Sequence, residues 1–418
     1  MGLRVVVLEI SAEHLSELEL QNHAADMPAL AADAANPTLL TQAGLQHRLC
    51  RGIIALTDDD EANRAIALAA RLLAPELPVL ARARAAATAA DMASFGTRHI
   101  IDPFVKFSGY LGLALHGPAA YQLLLWLTGL PGTTLQRHRN PPHGHWILLG
   151  YGRFSQGLAA TIAREGMPVT VIDLQPAPEL AAGVSWLQGD GTCAPALELA
   201  GVRQAAGIIA ATSSDINNLS ACYTARELNP GLFTIVRQNG VANQPLFERF
   251  LADLTMVPRE VIAHECLAIL TTPMLAPFLQ TVQAQPQDWC EALLQRLTQR
   301  LGWEAPEVWS VRISAREAPA PHLRLNRGQP VRLGELLRDH ADRSETLLCE
   351  VLQLDREGGS GQLLPAADTA LEQGDELLFA GSRRARARLE LVLRNDHALD
   401  YVLSGREPSG WLWQKLRA

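Results

Sequence analysis

No two cysteines in this sequence stand at the Cys-x-x-Cys spacing of a zinc or redox pair. The six (Cys50, Cys193, Cys222, Cys266, Cys290, Cys349) are scattered over 418 residues, which argues for reduced thiols rather than a disulfide framework. An excess of positive charge is missing too. A net charge of -8 argues against nucleic acid as a partner, because phosphate backbones need a basic face. The local basic cluster of Arg383, Arg384, Arg386 and Arg388 falls on a helix-like stretch and reads as a solvated face. The opening "MGLRVVVLEIS" lacks a basic leader segment and reaches Glu9 too soon for a signal peptide. Long apolar runs are lacking as well. The most membrane-like stretch, Leu111 to Leu130, is interrupted by His116, Pro118 and Gln122 and reads as a buried helix pair. The histidines form no pattern, and no catalytic or metal-ligating residue is assigned. The acidic "TDDDE" of Thr57 to Glu61 suits either a divalent cation or a helix N-terminus, and the helix is the preferred alternative.

What the sequence does contain is a globular composition, 48% hydrophobic and 19% charged, in a chain long enough for two or three domains. It also contains a repeat. Asp33 and Gly44 align with Asp190 and Gly201 at an offset of 157 residues. After a two-residue deletion the offset becomes 155, pairing Thr57 with Thr212, Asp60 with Asp215, Arg71 with Arg226, Arg82 with Arg237 and Pro118 with Pro273. Two copies of one domain therefore stand in tandem.

The second copy alternates strands and helices. "WILLG", "VTVIDL", "GIIAAT" and "FTIVRQ" are nearly continuous apolar strands, and helices such as "SQGLAATIAREG" and "SDINNLSACYTARELNP" separate them. Such strands belong to a parallel sheet covered on both faces, a doubly wound Rossmann-like domain. The first copy starts at "RVVVLEI", which aligns with the second strand and sets Glu9 opposite Asp173. It lacks the first strand, the glycine turn and the first helix. A sheet without its central strand exposes two edges, so the expectation is a chain that begins inside a domain.

The stretch "GYGRFSQG" follows the first strand of the second copy. Gly150 permits the tight strand-to-helix turn and Gly152 lets backbone approach a pyrophosphate, while Ser155 takes the third glycine's place against the sheet. Amides at the helix N-terminus favour an anion. Asp173, about twenty residues on, stands where an acid binds ribose hydroxyls, favouring unphosphorylated ribose. Thr212 ends a later strand and is either a loop residue or a ligand contact. Arg237, at another strand's carboxyl end, meets either a phosphate or a surface carboxylate.

With these residues in place, the chain resembles the RCK (TrkA-N) family, the regulators of potassium conductance. The stretches "ILLGYGRFSQGLA", "VTVIDLQP", "LQGDGTCAPALELAGV" and "GIIAATSSDINNLSACYTARELNPGLFTIVRQN" carry the resemblance, and "GIIALTDDDEANRAIALAARLLAPELPVLARA" repeats it in the first copy. "VIAHECLAILTTPMLAPFLQTV" and "FVKFSGYLGLALHGPAAYQLLLWL" resemble the family's crossover helices, through which two such domains clasp, and "QGDELLFAG" resembles its C-terminal subdomain.

The resemblance implies a nucleotide site at Gly150, Gly152, Arg153, Phe154, Ser155, Asp173, Asp190, Gly191, Thr192, Thr212 and Arg237, holding NAD or NADH, or alternatively ATP or ADP. It implies tandem Rossmann-like domains, the first truncated, with a smaller α+β C-terminal subdomain. The segments are 1–105 (first copy), 106–143 (crossover helices and linker), 144–260 (second copy), 261–300 (crossover helices), 301–394 (C-terminal subdomain) and 395–418 (a tail bearing Trp411 and Trp413). The first copy, without a phosphate turn, is expected to bind nucleotide poorly. The implied function is a non-enzymatic regulator at the inner face of the plasma membrane. It would couple nucleotide binding to potassium flux through a channel or transporter subunit, which is either separate or an N-terminal pore of the same polypeptide. Four chains would form a ring. The alternatives are the regulatory domain of a cation/proton antiporter and an NAD-dependent oxidoreductase.

Overall fold

The computed structural model describes residues 4–20, 27–134, 139–356, 359 and 361–405; Trp411 and Trp413 lie outside them. The chain forms two units, Met1–Lys106 with Arg259–Cys266, and Phe107–Pro258 with Leu267–Ala418.

In the first unit, strands β1 (Val7–Glu9) and β2 (Ala29–Ala31) make one parallel pair, and β3 (Ile53–Ala55), β4 (Val79–Arg82) and β5 (His99–Ile101) make a separate parallel sheet in that order. The helix Asp60–Leu73 buries Asn63, Ile66, Ala67 and Ala70 on one face, the period of an amphipathic helix. Its small side chains let it lie close to Ala55 and Ala81. The "TDDDE" acids serve this local structure. Asp59 caps the helix by accepting from the Glu61 amide at 2.9 Å, Asp60 accepts from the Arg84 and Ala85 amides, and Asp58 pairs with Arg82 at 2.7 Å.

The second unit contains a six-stranded, all-parallel sheet. Its strands are β6 (Trp146–Leu149), β7 (Val169–Asp173), β8 (Val184–Gln188), β9 (Gly207–Ala210), β10 (Phe233–Arg237) and β11 (Leu254–Met256), in the order β11-β10-β9-β6-β7-β8. The chain starts in the middle, winds out to β8, then returns to build the other half. This is the doubly wound order, with its switch point between β6 and β9. All of β6 is buried, as a central strand covered on both faces must be.

Set over this sheet by the offset of 155, the first copy has β3 for β9 and β4 for β10. Among the described residues no strand occupies the place between β1 and β3 that β6 fills between β7 and β9. The exposure follows: Ile54 on β3 is 44% exposed, whereas its counterpart Ile209 is 0% exposed.

The stretch expected to be a buried helix pair is two helices, Pro103–His116 and Pro118–Thr128, broken at Gly117. Leu123 and Trp126 of the second of these pack with Phe278 of helix Leu275–Gln283 and Leu297 of helix Gln287–Leu301. The apolar faces of the helices that follow the two copies thus meet within one chain. No helix among the described residues is long and apolar enough to cross a membrane.

The C-terminal part is an antiparallel sheet of β12 (Glu307–Arg312), β13 (Cys349–Asp355), β14 (Gln362–Leu363) and β15 (Glu376–Gly381), ordered β12-β15-β13-β14. Trp309 stacks on Phe379 at 5.4 Å. The buried Glu350 receives Arg296 at 2.9 Å and Arg300 at 3.1 Å, tying the sheet to helix Gln287–Leu301. The Arg383–Arg394 helix is more than a solvated face. Arg386 pairs with Glu307 and Glu390, and Arg388 pairs with Asp339. The following helix, Asp396–Ser404, buries Leu399 and Val402 in the same core.

Candidate functional site

The carboxyl ends of β6, β7, β9 and β10 and the loop after β8 converge at the switch point. Strand β6 ends at Leu149, and Gly150 turns the chain with φ +78°, a left-handed conformation that costs other L-residues about 1–2 kcal/mol. Gly152 then caps the helix Arg153–Arg164 from ordinary extended backbone (φ -71°, ψ 175°). The two glycines differ in their surroundings. A Cβ on Gly150 would stand 3.2 Å from the Thr212 methyl, while one on Gly152 would meet nothing within 4 Å. The space above Gly152 is open, and the first amides of a 12-residue helix stand beside it.

Asp173 ends β7 and braces this turn. One of its carboxylate oxygens accepts from the Tyr151 amide at 2.8 Å and the other from the Gln175 amide at 2.9 Å. Each oxygen has a second lone pair, so ribose hydroxyls can still be received. Tyr151, the residue between the glycines, packs edge-on against Trp186 of β8 at 5.5 Å.

Ser155 is 0% exposed, so a serine fits in the third glycine's place, yet its hydroxyl is buried with no hydrogen-bond partner. Phe154 is also buried and meets Phe107 edge-on at 5.6 Å. Over its ring, at 5.9 Å, lies the Arg237 guanidinium. Burial lowers the pKa of Arg237; Asp215 opposes that shift and the positive charge of Arg153 adds to it. Arg153 and Arg237 thus bring positive charge to the side of the sheet where the helix begins, an environment that favours an anion.

The loop after β8 supplies the remaining predicted residues. Asp190 accepts from the Thr192 amide at 2.9 Å and its hydroxyl at 2.8 Å, which hold its carboxyl below the ordinary aspartate range. The structure thus turns Asp190 toward its own loop, while Gly191 lies against β6: a Cβ there would come within 2.4 Å of Leu149. Thr212 is brought to the turn, but its hydroxyl is engaged by Asn218 at 2.6 Å.

Two residues of this site have no place in the sequence-based set. Asn218 binds the Thr212 backbone and the Arg237 carbonyl. Asp215, 6% exposed, accepts from the Asn239 and Gly240 amides and from the Asn243 side chain. Burial alone would raise the Asp215 pKa, but these hydrogen bonds outweigh it and hold the group below the ordinary value. Both residues recur in the first copy, as Asn63 and Asp60, at the repeat offset of 155.

The first copy shares part of this plan. Glu9 ends β1 and accepts from the Ser11 amide at 2.9 Å, as Asp173 does from Gln175. Arg82, the counterpart of Arg237, pairs with Asp58, and Ser213 stands in Asp58's place in the second copy.

Comparison with known proteins gives the same picture twice along the chain. The TrkA-N domain family matches residues 2–103 and again 146–258. A segment of 151 residues is 26% identical to potassium channel protein 1 of Methanocaldococcus jannaschii, covering 35% of this chain and 45% of that protein. A segment of 136 residues is 29% identical to the Trk system potassium uptake protein TrkA homolog of Pyrococcus horikoshii, covering 30% of this chain and 60% of that one. The chain thus spans about half the length of these relatives. Among solved structures, the GsuK channel superimposes with a TM-score of 0.52 at 18% identity, over 97% of this chain and 75% of that one. The GsuK channel bound to NAD gives 0.51 at 18% identity, over 96% and 74%. At this identity the likeness establishes the fold, and the two domain matches establish the family: the chain belongs to the TrkA-N domain family.

Proposed function

We propose that this protein is a nucleotide-responsive regulator of potassium transport, and that its second TrkA-N copy holds the nucleotide. One observation carries the proposal. A glycine turn braced by Asp173 delivers open backbone and helix amides to an edge where Arg153 and Arg237 concentrate positive charge. Gly150, Gly152, Arg153, Phe154 and Ser155 form the pyrophosphate side of the site. Asp173 takes the ribose hydroxyls, Asp190, Gly191 and Thr192 border it, and Thr212 and Arg237 close it. An acid at the end of β7 suits NAD, NADH, ADP or ATP, whose ribose carries no phosphate beside the acid.

Potassium as the ion is supported by the relatives, one named a potassium channel protein and another a potassium uptake protein, and the nucleotide by the GsuK channel bound to NAD, which shares the fold. The protein acts by binding rather than turnover. A ligand shifts a conformational equilibrium by its difference in affinity for two states, and a site charged by two arginines makes that difference depend on the ligand's phosphates. The partner is a membrane channel or transporter subunit at the inner face of the membrane, served by a ring of four chains.

Two experiments test this. Calorimetric titration with NAD, NADH, ADP and ATP should give a micromolar affinity, about -8 kcal/mol, for at least one of them; absence of heat and of thermal stabilisation with all four would refute nucleotide binding. Potassium uptake in cells lacking the gene should be restored under nucleotide control by the wild type, and restored without that control by Gly152→Ala. Equal behaviour of the two would refute the coupling.

A further inference from the structure

We infer that Asn218 is a positioning residue that holds Thr212 and Arg237 at the ligand edge; the inference rests on the nucleotide-binding reading of that site. Asn218 lies in the first turn of helix Asp215–Leu228 and is 0% exposed. Its carbonyl oxygen accepts from the Thr212 amide at 2.9 Å and the Thr212 hydroxyl at 2.6 Å. Its amide donates to the Thr212 carbonyl at 3.1 Å and to the Arg237 carbonyl at 2.9 Å. Both lone pairs and both protons are thereby used, which fixes one orientation of the side chain.

The consequence is geometric. Neighbouring parallel strands are joined by backbone hydrogen bonds along their length, but Thr212 lies beyond the end of β9, outside the ladder. Asn218 extends the connection past that end and sets how far β9 and β10 splay where a ligand would lie. Thr212, so held, abuts Gly150, because a Cβ on that glycine would come within 3.2 Å of the Thr212 methyl. The Asn239 side chain also donates to the Thr212 carbonyl at 3.2 Å, but Asn218 is the buried amide that joins Thr212, and through it the glycine turn, to the Arg237 carbonyl.

The first copy contains the same bracket. Asn63, also 0% exposed, accepts from the Thr57 amide and hydroxyl, both at 2.9 Å, and donates to the carbonyls of Thr57 at 2.9 Å and Arg82 at 3.0 Å. No glycine turn stands beside it among the described residues. The two copies therefore offer an internal control: equal local structure, with a ligand edge next to only one.

The test uses the full chain, with Asn218→Asp and Asn63→Asp each placing an oxygen where the amide faced two carbonyls. Thermal unfolding and calorimetric titration with NADH and with ADP are measured for both variants and the wild type. Both variants should unfold at a lower temperature, but only Asn218→Asp should weaken nucleotide binding, by about tenfold in Kd, with Asn63→Asp at the wild-type value. Should Asn218→Asp fail to fold, Asn218→Ser and Asn63→Ser make the same comparison. Wild-type affinity in the Asn218 variant, or equal weakening by both, would overturn the inference while leaving the nucleotide reading intact. A wild type that binds neither nucleotide would overturn that reading and the inference with it.

Discussion

Replacing Gly152 by alanine should leave the fold standing and remove the nucleotide, whereas replacing Gly150 should do damage to the fold first. Gly152 has φ -71° and ψ 175°, and an added Cβ meets nothing within 4 Å. Alanine there restricts the unfolded chain, a gain of about 0.4–1 kcal/mol, but is a poorer helix N-cap than glycine by a similar amount. The stability change should therefore stay within about 1 kcal/mol. The methyl would, however, occupy the open space through which a pyrophosphate would reach the backbone in the proposed site, and Kd should rise at least about tenfold, or 1.4 kcal/mol. At Gly150 the backbone has φ +78°, which costs alanine about 1–2 kcal/mol. The contact with Thr212 at 3.2 Å adds on the order of 1 kcal/mol of overpacking. Urea unfolding with calorimetric titration of both variants reads the two quantities separately. Wild-type nucleotide affinity in Gly152→Ala would rule out a ligand against this backbone, and a stability loss as large as that of Gly150→Ala would contradict the open surroundings of Gly152.

Three further outcomes follow from the same geometry. Asp173→Ala removes the acceptor of the Tyr151 and Gln175 amides, so stability should fall by about 1–3 kcal/mol and nucleotide binding should be lost, both seen by thermal unfolding with and without ligand. Ser155→Ala removes a buried hydroxyl without a partner and should stabilise the protein by about 1 kcal/mol, raising the urea midpoint. Asp215 has a pKa below the ordinary 3.8, so its native state takes up a proton less readily than the unfolded chain. Its stabilisation is complete above that ordinary value and is lost as pH falls through the lowered one. Asp215→Asn should therefore be less stable than the wild type by about 2 kcal/mol at pH 7, with the gap closing as pH falls below the ordinary aspartate value; a gap independent of pH would contradict the assignment.

Strands β6, β7, β9 and β10 are legible because each is a short apolar run with glycine or proline close by, and the acid that ends β7 is legible from its distance to the glycines. Strand β11 is not, since Leu254–Met256 is three residues at a sheet edge and reads as loop. Asn218 escapes for a different reason. An asparagine near a helix start looks like surface, and only the fold reveals that four acceptors and donors surround it; the repeat offset that pairs it with Asn63 was the available signal. Asp173 shows the limit of motif reading: its spacing points to ribose, but the bracing of the turn through Tyr151 depends on backbone placement that spacing does not encode. The interrupted first sheet, by contrast, follows directly from aligning "RVVVLEI" with "VTVIDLQ", because a strand absent from the alignment leaves its neighbours apart.

The most direct test of the account is the number of nucleotides bound per chain, measured by native mass spectrometry and by calorimetric stoichiometry on the full chain. The two copies share the Thr-Asn-Arg bracket, but among the described residues only the second has a glycine turn at its side, and in the first Arg82 pairs with Asp58. One nucleotide should bind per chain, lost in Gly152→Ala and retained in Asn63→Asp. None, or two, would contradict it.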